Sequence, residues 1–298
     1  MTIFPLVLPD FLLIALGWAL LHLLNYRADF FNTAERLVYY VLFPALLFSS
    51  IARAPLSPGE ASTLIGATLL LMTCGIGLAW LAVPVLRPDP VTHASLAQCA
   101  YRFNTYMGLS LALSLAGPQG QSVMAMIVGF AVPLVNIAAV SGLARRQDNR
   151  ILSEILRNPL ILATIAGLAF NLGGLQVPDF AMTTLQRLGA CAIALGLMCV
   201  GATLSVQGLG SSAKLMSWMT VVRLVALPMI AMVIAYFMPL SNIEKQMLVL
   251  FAALPTASSA YILAVRMGGD GRSVAVTMSL GTILSAATIP LWLYVSPF

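Results

Sequence analysis

Tyr101-Arg102-Phe103-Asn104-Thr105-Tyr106-Met107-Gly108 and Ala252-Ala253-Leu254-Pro255-Thr256-Ala257-Ser258-Ser259 are the two stretches on which the fold turns. Each places polar residues or a proline in the middle of a long apolar run, and the two stand about 150 residues apart. The same offset, to within one residue, carries Gly117, Gly120, Ser122 and Val123 onto Gly268, Gly271, Ser273 and Val274. It also carries Pro9, Leu12, Gly17 and Ala19 onto Pro159, Leu162, Gly167 and Ala169, and Thr33, Arg36 and Leu37 onto Thr184, Arg187 and Leu188. The pattern reads as one unit used twice.

Composition says where such a chain resides. Only 8% of its 298 residues are charged and 60% are hydrophobic, with a mean hydropathy of +0.96, whereas soluble chains carry roughly 25% charged residues. Water is excluded as its solvent. Runs of about twenty apolar residues, enough to cross a hydrocarbon core of roughly 30 Å as helix, recur along the whole length. The first of them has no basic residue ahead of it and no cleavage-like site after it, so it reads as a retained helix rather than a signal peptide. Cys74, Cys99, Cys191 and Cys199 lie in apolar runs with no C-x-x-C spacing and no histidine pairing, and read as packing residues.

Apolar runs bounded by polar or Gly/Pro clusters predict ten transmembrane helices, at 3–24, 33–51, 61–86, 91–115, 121–144, 158–172, 183–206, 214–238, 244–267 and 271–295. Alternate loops gather Arg27, Arg36, Arg87, Arg145, Arg146, Arg150, Arg157, Lys214, Arg266 and Arg272 on one side, against Arg53, Arg187 and Lys245 on the other. That bias makes the richer side cytoplasmic. Both termini then lie outside the cytoplasm, in the inner (plasma) membrane. The expected organisation is a five-helix repeat at 1–144, a cytoplasmic linker at 145–157 and a second five-helix repeat at 158–298. Five is odd, so the second copy is inverted, an arrangement common among secondary transporters.

Polar residues deep in an apolar span are functional candidates. In helix 9, Pro255 lacks an N–H, so the Phe251 carbonyl loses its helical partner and a break is expected. Helix 4 has no matching proline. Asn104, Thr105 and Gly108 there predict a weaker interruption. Two helices broken at mid-membrane would present unpaired N–H groups and positive dipole ends, which together suit an anion. All ten acidic residues are expected in loops or at helix ends, whereas Arg102 and Arg223 lie within helices 4 and 8. A pathway with buried guanidinium groups and no central carboxylate favours an anionic substrate.

The candidate substrate-binding set is Arg102, Asn104, Thr105, Tyr106, Asn136, Pro255, Thr256, Ser258 and Ser259, with Asn104, Gly108 and Pro255 marking the breaks. Two readings stand for several of them. Arg102 either touches substrate or satisfies carbonyls freed by the break, Asn104 either holds substrate or ties helix 4 to a neighbour, and the two serines either contact ligand or permit close packing. Arg223 reads as structural, Pro44 as a kink in helix 2, and His22 and His93 as interfacial. The absence of a central carboxylate argues against sodium coupling, since a potential of about 100 mV already favours export of one negative charge by about 2.3 kcal/mol. No H-E-x-x-H, paired aspartates or serine–histidine pair occurs in the spans, so neither an enzyme nor a bound metal or cofactor is expected, and no nucleic-acid partner.

At these segments the chain resembles the auxin efflux carrier family, which includes plant PIN carriers and bacterial malonate and malate permease-like proteins. The likeness runs through residues 39–50 with Phe43-Pro44-Ala45-Leu46-Leu47, Arg102-Phe103-Asn104-Thr105 leading into Gly108, Pro133-Leu134-Val135-Asn136, and Leu254-Pro255-Thr256 through Ala264. It implies two inverted five-helix repeats, with helices 4 and 9 crossing in a mobile transport domain and helices 1, 2, 6 and 7 in a scaffold that forms a homodimer. It also implies that Asn104 helps hold a substrate carboxylate. The family's proline near the helix 4 crossover is missing here, as is the long cytoplasmic loop of many plant members. The function expected is alternating-access transport of a small organic anion, a mono- or dicarboxylate such as malonate, malate or an auxin-like acid. The alternative is a sodium-coupled carrier of bile-acid type, with Asn104, Thr105, Thr256 and Ser258 as cation ligands.

Overall fold

The computed structural model describes residues 4–53, 58–143, 159–204 and 212–297, so the expected linker at 145–157 lies outside the described residues. Among the described residues all regular structure is helical. In chain order come α1 (Phe4–His22), α2 (Ala28–Leu37), which runs through a π turn (Val38–Leu42) into α3 (Phe43–Ala52), α4 (Pro58–Leu86), α5 (Pro90–Tyr101) and α6 (Thr105–Leu143). After them come α7 (Pro159–Leu172), α8 (Asp179–Ala202), α9 (Ala213–Val221), which passes through a second π turn (Val222–Ala226) into α10 (Leu227–Phe237), α11 (Asn242–Ala253), α12 (Ser259–Arg266) and α13 (Gly271–Val295). Among the described residues six helical stretches are long and apolar enough to cross a membrane, and α1 and α7 are shorter apolar helices.

Local chemistry explains the punctuation. Asp89 caps α5 by accepting from the Val91 and Thr92 amides at 3.1 and 3.0 Å, with Pro90 in the first helical position. A reciprocal capping box of Ser241 and Glu244 starts α11. Both π turns end just before a proline, Pro44 or Pro228, whose missing N–H the wider turn accommodates. The Leu224 carbonyl, four residues before Pro228, instead accepts from the Trp292 indole at 2.8 Å. Pro44 therefore sits in a stretch continuous from Ala28 to Ala52.

The long α6 changes direction at Ala116 and at Gly117, whose φ of 61° is the left-handed conformation glycine tolerates. Gly268, its repeat mate, has φ 69° just past α12. There the Gly269 amide bonds the Ala264 carbonyl at 2.8 Å and the Gly268 amide bonds Val265 at 3.2 Å, a Schellman ending.

Packing divides the helices into two groups. Helices α1, α2–α3, α7 and α8 pack mainly on one another, and α4, α5, α6, α9–α10, α11, α12 and α13 form the other group. At the α1–α8 contact the backbones touch: a Cβ placed on Gly17 would stand 1.9 Å from the Met198 carbonyl oxygen, and one on Gly201 1.8 Å from that of Ile14. In the second group α5 and α11 are innermost, every residue from 247 to 254 being fully buried. Large apolar side chains such as Leu12, Leu70, Ile165 and Val233 face outward, as lipid requires rather than water.

Two acidic residues depart from the sequence expectation. Asp10 is within α1, buried, and Glu35 is well inside α2, which begins five residues earlier than the predicted start at 33. His93 also departs: it is buried and bonds the Ala79 carbonyl at 3.0 Å, while His22 stays exposed at its helix end.

Candidate functional site

Both interruptions are present. Arg102, Phe103 and Asn104 leave the helix between α5 and α6, and residues 254–257 do so between α11 and α12. The helix 4 break is thus complete, not a weak kink. The two breaks touch: the Asn104 amide donates to the Pro255 carbonyl at 2.8 Å, and the Phe103 and Phe251 rings meet edge to face at 4.4 Å.

A helix ended inside apolar surroundings must satisfy its loose carbonyls. For α5 the Thr256 hydroxyl donates to the Cys99 carbonyl at 2.7 Å. For α11 the Phe251 carbonyl, deprived by Pro255, accepts from Arg223 Nη2 at 2.7 Å, and the Leu254 carbonyl accepts from Arg223 Nε at 2.5 Å. Arg223 is 1% exposed and takes the structural part expected of it. Arg102 donates to Gln98 Oε1 at 3.2 Å, to the Ser259 carbonyl at 3.3 Å and to Asn136 Oδ1. It ties the end of α5 to the start of α12 and to the far part of α6 through two side-chain oxygens and one backbone carbonyl.

Asn104 is 1% exposed. Its Oδ1 accepts from the Met107 amide at 3.2 Å and so caps α6, while Nδ2 is buried with no hydrogen-bond partner among the described residues. A donor left over at the positive end of a helix is what an anion would take up. Thr105 and Tyr106 follow it, half-buried. The Tyr106 ring packs edge to face on Phe43 at 5.2 Å and fits because Gly196 has no side chain: a Cβ there would stand 2.6 Å from the ring. Gly108 is not part of the break. Its amide bonds the Asn104 carbonyl at 3.0 Å within regular helix, and its lack of a side chain lets Leu254 approach.

Ser258 Oγ donates to Glu35 Oε1 at 3.1 Å, and Ser110, six residues past Asn104, donates to Asp10 Oδ1 at 2.6 Å. Each bond joins one packing group to the other. Sequence reasoning passed over Gln98, Glu35 and Asp10. The polar start of α2, Ala28-Asp29-Phe30-Phe31-Asn32-Thr33-Ala34-Glu35, could have been read as amphipathic helix, but nothing local marks Asp10. Among the described residues no cluster of three or more His, Cys, Asp or Glu side chains could hold a metal.

The amino-acid sequence is matched by a known family and by known proteins along nearly its whole length. Residues 2–144 and 144–293 match the family described as "Membrane transport protein". The chain belongs to that family, the auxin efflux carrier family. A protein of Rhizobium meliloti (strain 1021) named "Putative malonate transporter" is 26% identical over 307 residues, covering 97% of this chain and 94% of the relative. An "Uncharacterized transporter" of Methanothermobacter thermautotrophicus is 27% identical over 291 residues, 96% of each chain, and the "Uncharacterized transporter YfdV" of Escherichia coli (strain K12) is 24% identical over 305 residues, 97% of this chain and 96% of the relative. This family member is therefore a multi-pass membrane transporter and not an enzyme.

Proposed function

We propose that this transporter moves a small organic anion, a mono- or dicarboxylate of the malonate class, by alternating access at the junction of the two breaks. The carrying observation is Asn104: buried, capping α6 with its oxygen, and presenting an unpartnered Nδ2 beside Pro255. Asn104 would bind a substrate carboxylate, with Thr105, Tyr106, Ser258 and Ser259 around it. Arg102, Asn136, Pro255 and Thr256 would act as positioning residues that hold the two backbones together. The relative named for malonate supports the carboxylate class.

The architecture we propose for this task is ten transmembrane helices in two inverted five-helix repeats, with broken helices 4 and 9 crossing. Two matched positions support it: Asn104 and Pro255 both fall in breaks, and Gly117 and Gly268 both take left-handed φ. In this reading α1, α2–α3, α7 and α8 form the scaffold and the other group moves against it. The outward apolar residues Leu12, Leu162 and Ile165 suit a homodimer face on that scaffold. The bias of basic residues between alternate loops supports a topology with both termini outside the cytoplasm.

The test is binding and counterflow of labelled malonate with purified protein in liposomes, beside the Asn104→Asp variant. Aspartate keeps an oxygen to cap α6 but replaces the free donor with negative charge, so malonate affinity should fall at least about tenfold, or 1.4 kcal/mol, while the melting temperature holds. Unchanged affinity would remove Asn104 from the site. Counterflow that demands sodium would favour the bile-acid-type reading instead.

A further inference from the structure

We propose that Asp10 is a proton-carrying site that couples movement of the α6 limb to proton flux. The inference rests on the transport reading for its role in the cycle, but not for the protonation itself. Asp10 is 4% exposed, Oδ1 accepts one bond from Ser110, and Oδ2 is buried without a partner among the described residues. An ionised carboxylate with a single neutral donor and no cation is costly in such surroundings. A carboxylic acid with its proton on Oδ2 is not.

The titratable groups on the elements packed against α1 are Tyr106 on α6, Asp179, Arg187, Cys191 and Cys199 on α8, and Arg272 and Tyr294 on α13. None of them forms an ion pair or hydrogen bond with Asp10, and Asp179 pairs with Arg53 instead. A metal cation is a poor fit, because one carboxylate and one hydroxyl fall short of the roughly six oxygens hard cations take. Placement gives the acid its function. Asp10 belongs to the α1 group and Ser110 to the other, so the bond exists only while the groups are in this relation. When the limb carrying Ser110 moves away, water reaches Asp10 and the Oδ2 proton leaves to it. When the contact re-forms, one proton is taken up. With release to the water on one side of the membrane and uptake from the other, one proton crosses per cycle.

Two measurements test this with Asp10→Asn, which keeps the size and an acceptor for Ser110. Infrared difference spectra of wild type minus variant at mildly acidic pH should show the C=O stretch of a protonated carboxyl, and its absence overturns the proposal whether or not malonate is the substrate. In liposomes a pH gradient should drive malonate accumulation by wild type with measurable proton movement. The variant should keep malonate exchange and lose gradient-driven accumulation at least tenfold. A variant still driven by the pH gradient overturns the coupling. A wild type that shows the infrared band but no malonate counterflow fails the substrate reading alone and leaves Asp10 supported as the proton site.

Discussion

The break between α11 and α12 carries its own cause, whereas the break between α5 and α6 borrows its cause from a neighbour. Pro255 cannot donate to Phe251, and Arg223 takes the carbonyls so released. In helix 4 no proline forbids continuation. There Asn104 caps the next helix with its own side chain, its amide is held by Pro255 and the Cys99 carbonyl by Thr256. One interruption is set by covalent structure and a buried cation; the other is a tertiary consequence of the first. A substrate that reorganises the contact between them would therefore act on helix 4 more readily than on helix 9.

Removing Arg223 should break this arrangement most severely. Arg223→Met leaves two carbonyls in an apolar interior without the charged donor that holds them, each such bond contributing about 1.5–3 kcal/mol. Losing the desolvation cost of the guanidinium offsets part of that. The variant should still lose roughly 3 kcal/mol or more, seen as aggregation on size exclusion or a steep fall in melting temperature in detergent. A variant as stable as wild type would mean that helix 9 does not depend on Arg223 and that its break is not held by a buried cation.

Pro255→Ala tests the same break from the other side and should act less strongly. Alanine favours continuous helix over proline by about 3 kcal/mol, yet a straight helix 9 must displace Arg223 from Phe251 and Leu254 and surrender the contact with Asn104. The opposing effects are of similar size. The variant should stay folded and shift part of its population toward a straightened helix, with malonate turnover slowed several-fold in the liposome assay. Wild-type turnover would show that Arg223 alone suffices to keep the break.

How much of this was legible follows from how local each cause is. The helix 9 break could be read from Pro255, because proline acts within four residues. Asn104 could be located from its repeat mate and its composition, but the completeness of its break could not, since the stabilising groups are 151 or more residues away at Pro255 and Thr256. The weak helix preference of Gly108 reads as a break for a related reason, while its use in the fold is room for Leu254. A carboxylate near a span's edge reads as solvated, so the sequence places Asp10 and Glu35 in loops or at helix ends. Only the packing of α1 on α6 and of α2 beside the second break reveals Ser110 and Ser258 as their partners.

Thr256 gives the smallest expected effect and the sharpest reading of the comparison. Thr256→Val keeps the shape and β-branching but removes the donor to the Cys99 carbonyl, so α5 loses one cap worth about 1 kcal/mol. If Thr256 matters because it holds the borrowed break, stability should fall by about that amount, with malonate affinity changed less than about twofold. If its hydroxyl is needed by substrate or by sodium, affinity or sodium dependence should change more than stability does. Combined with Arg223→Met, the valine variant should cost less than it does alone, because a helix 9 break already loosened no longer presents residue 256 to α5. Additive losses would show instead that the two breaks are set independently, each by its own surroundings.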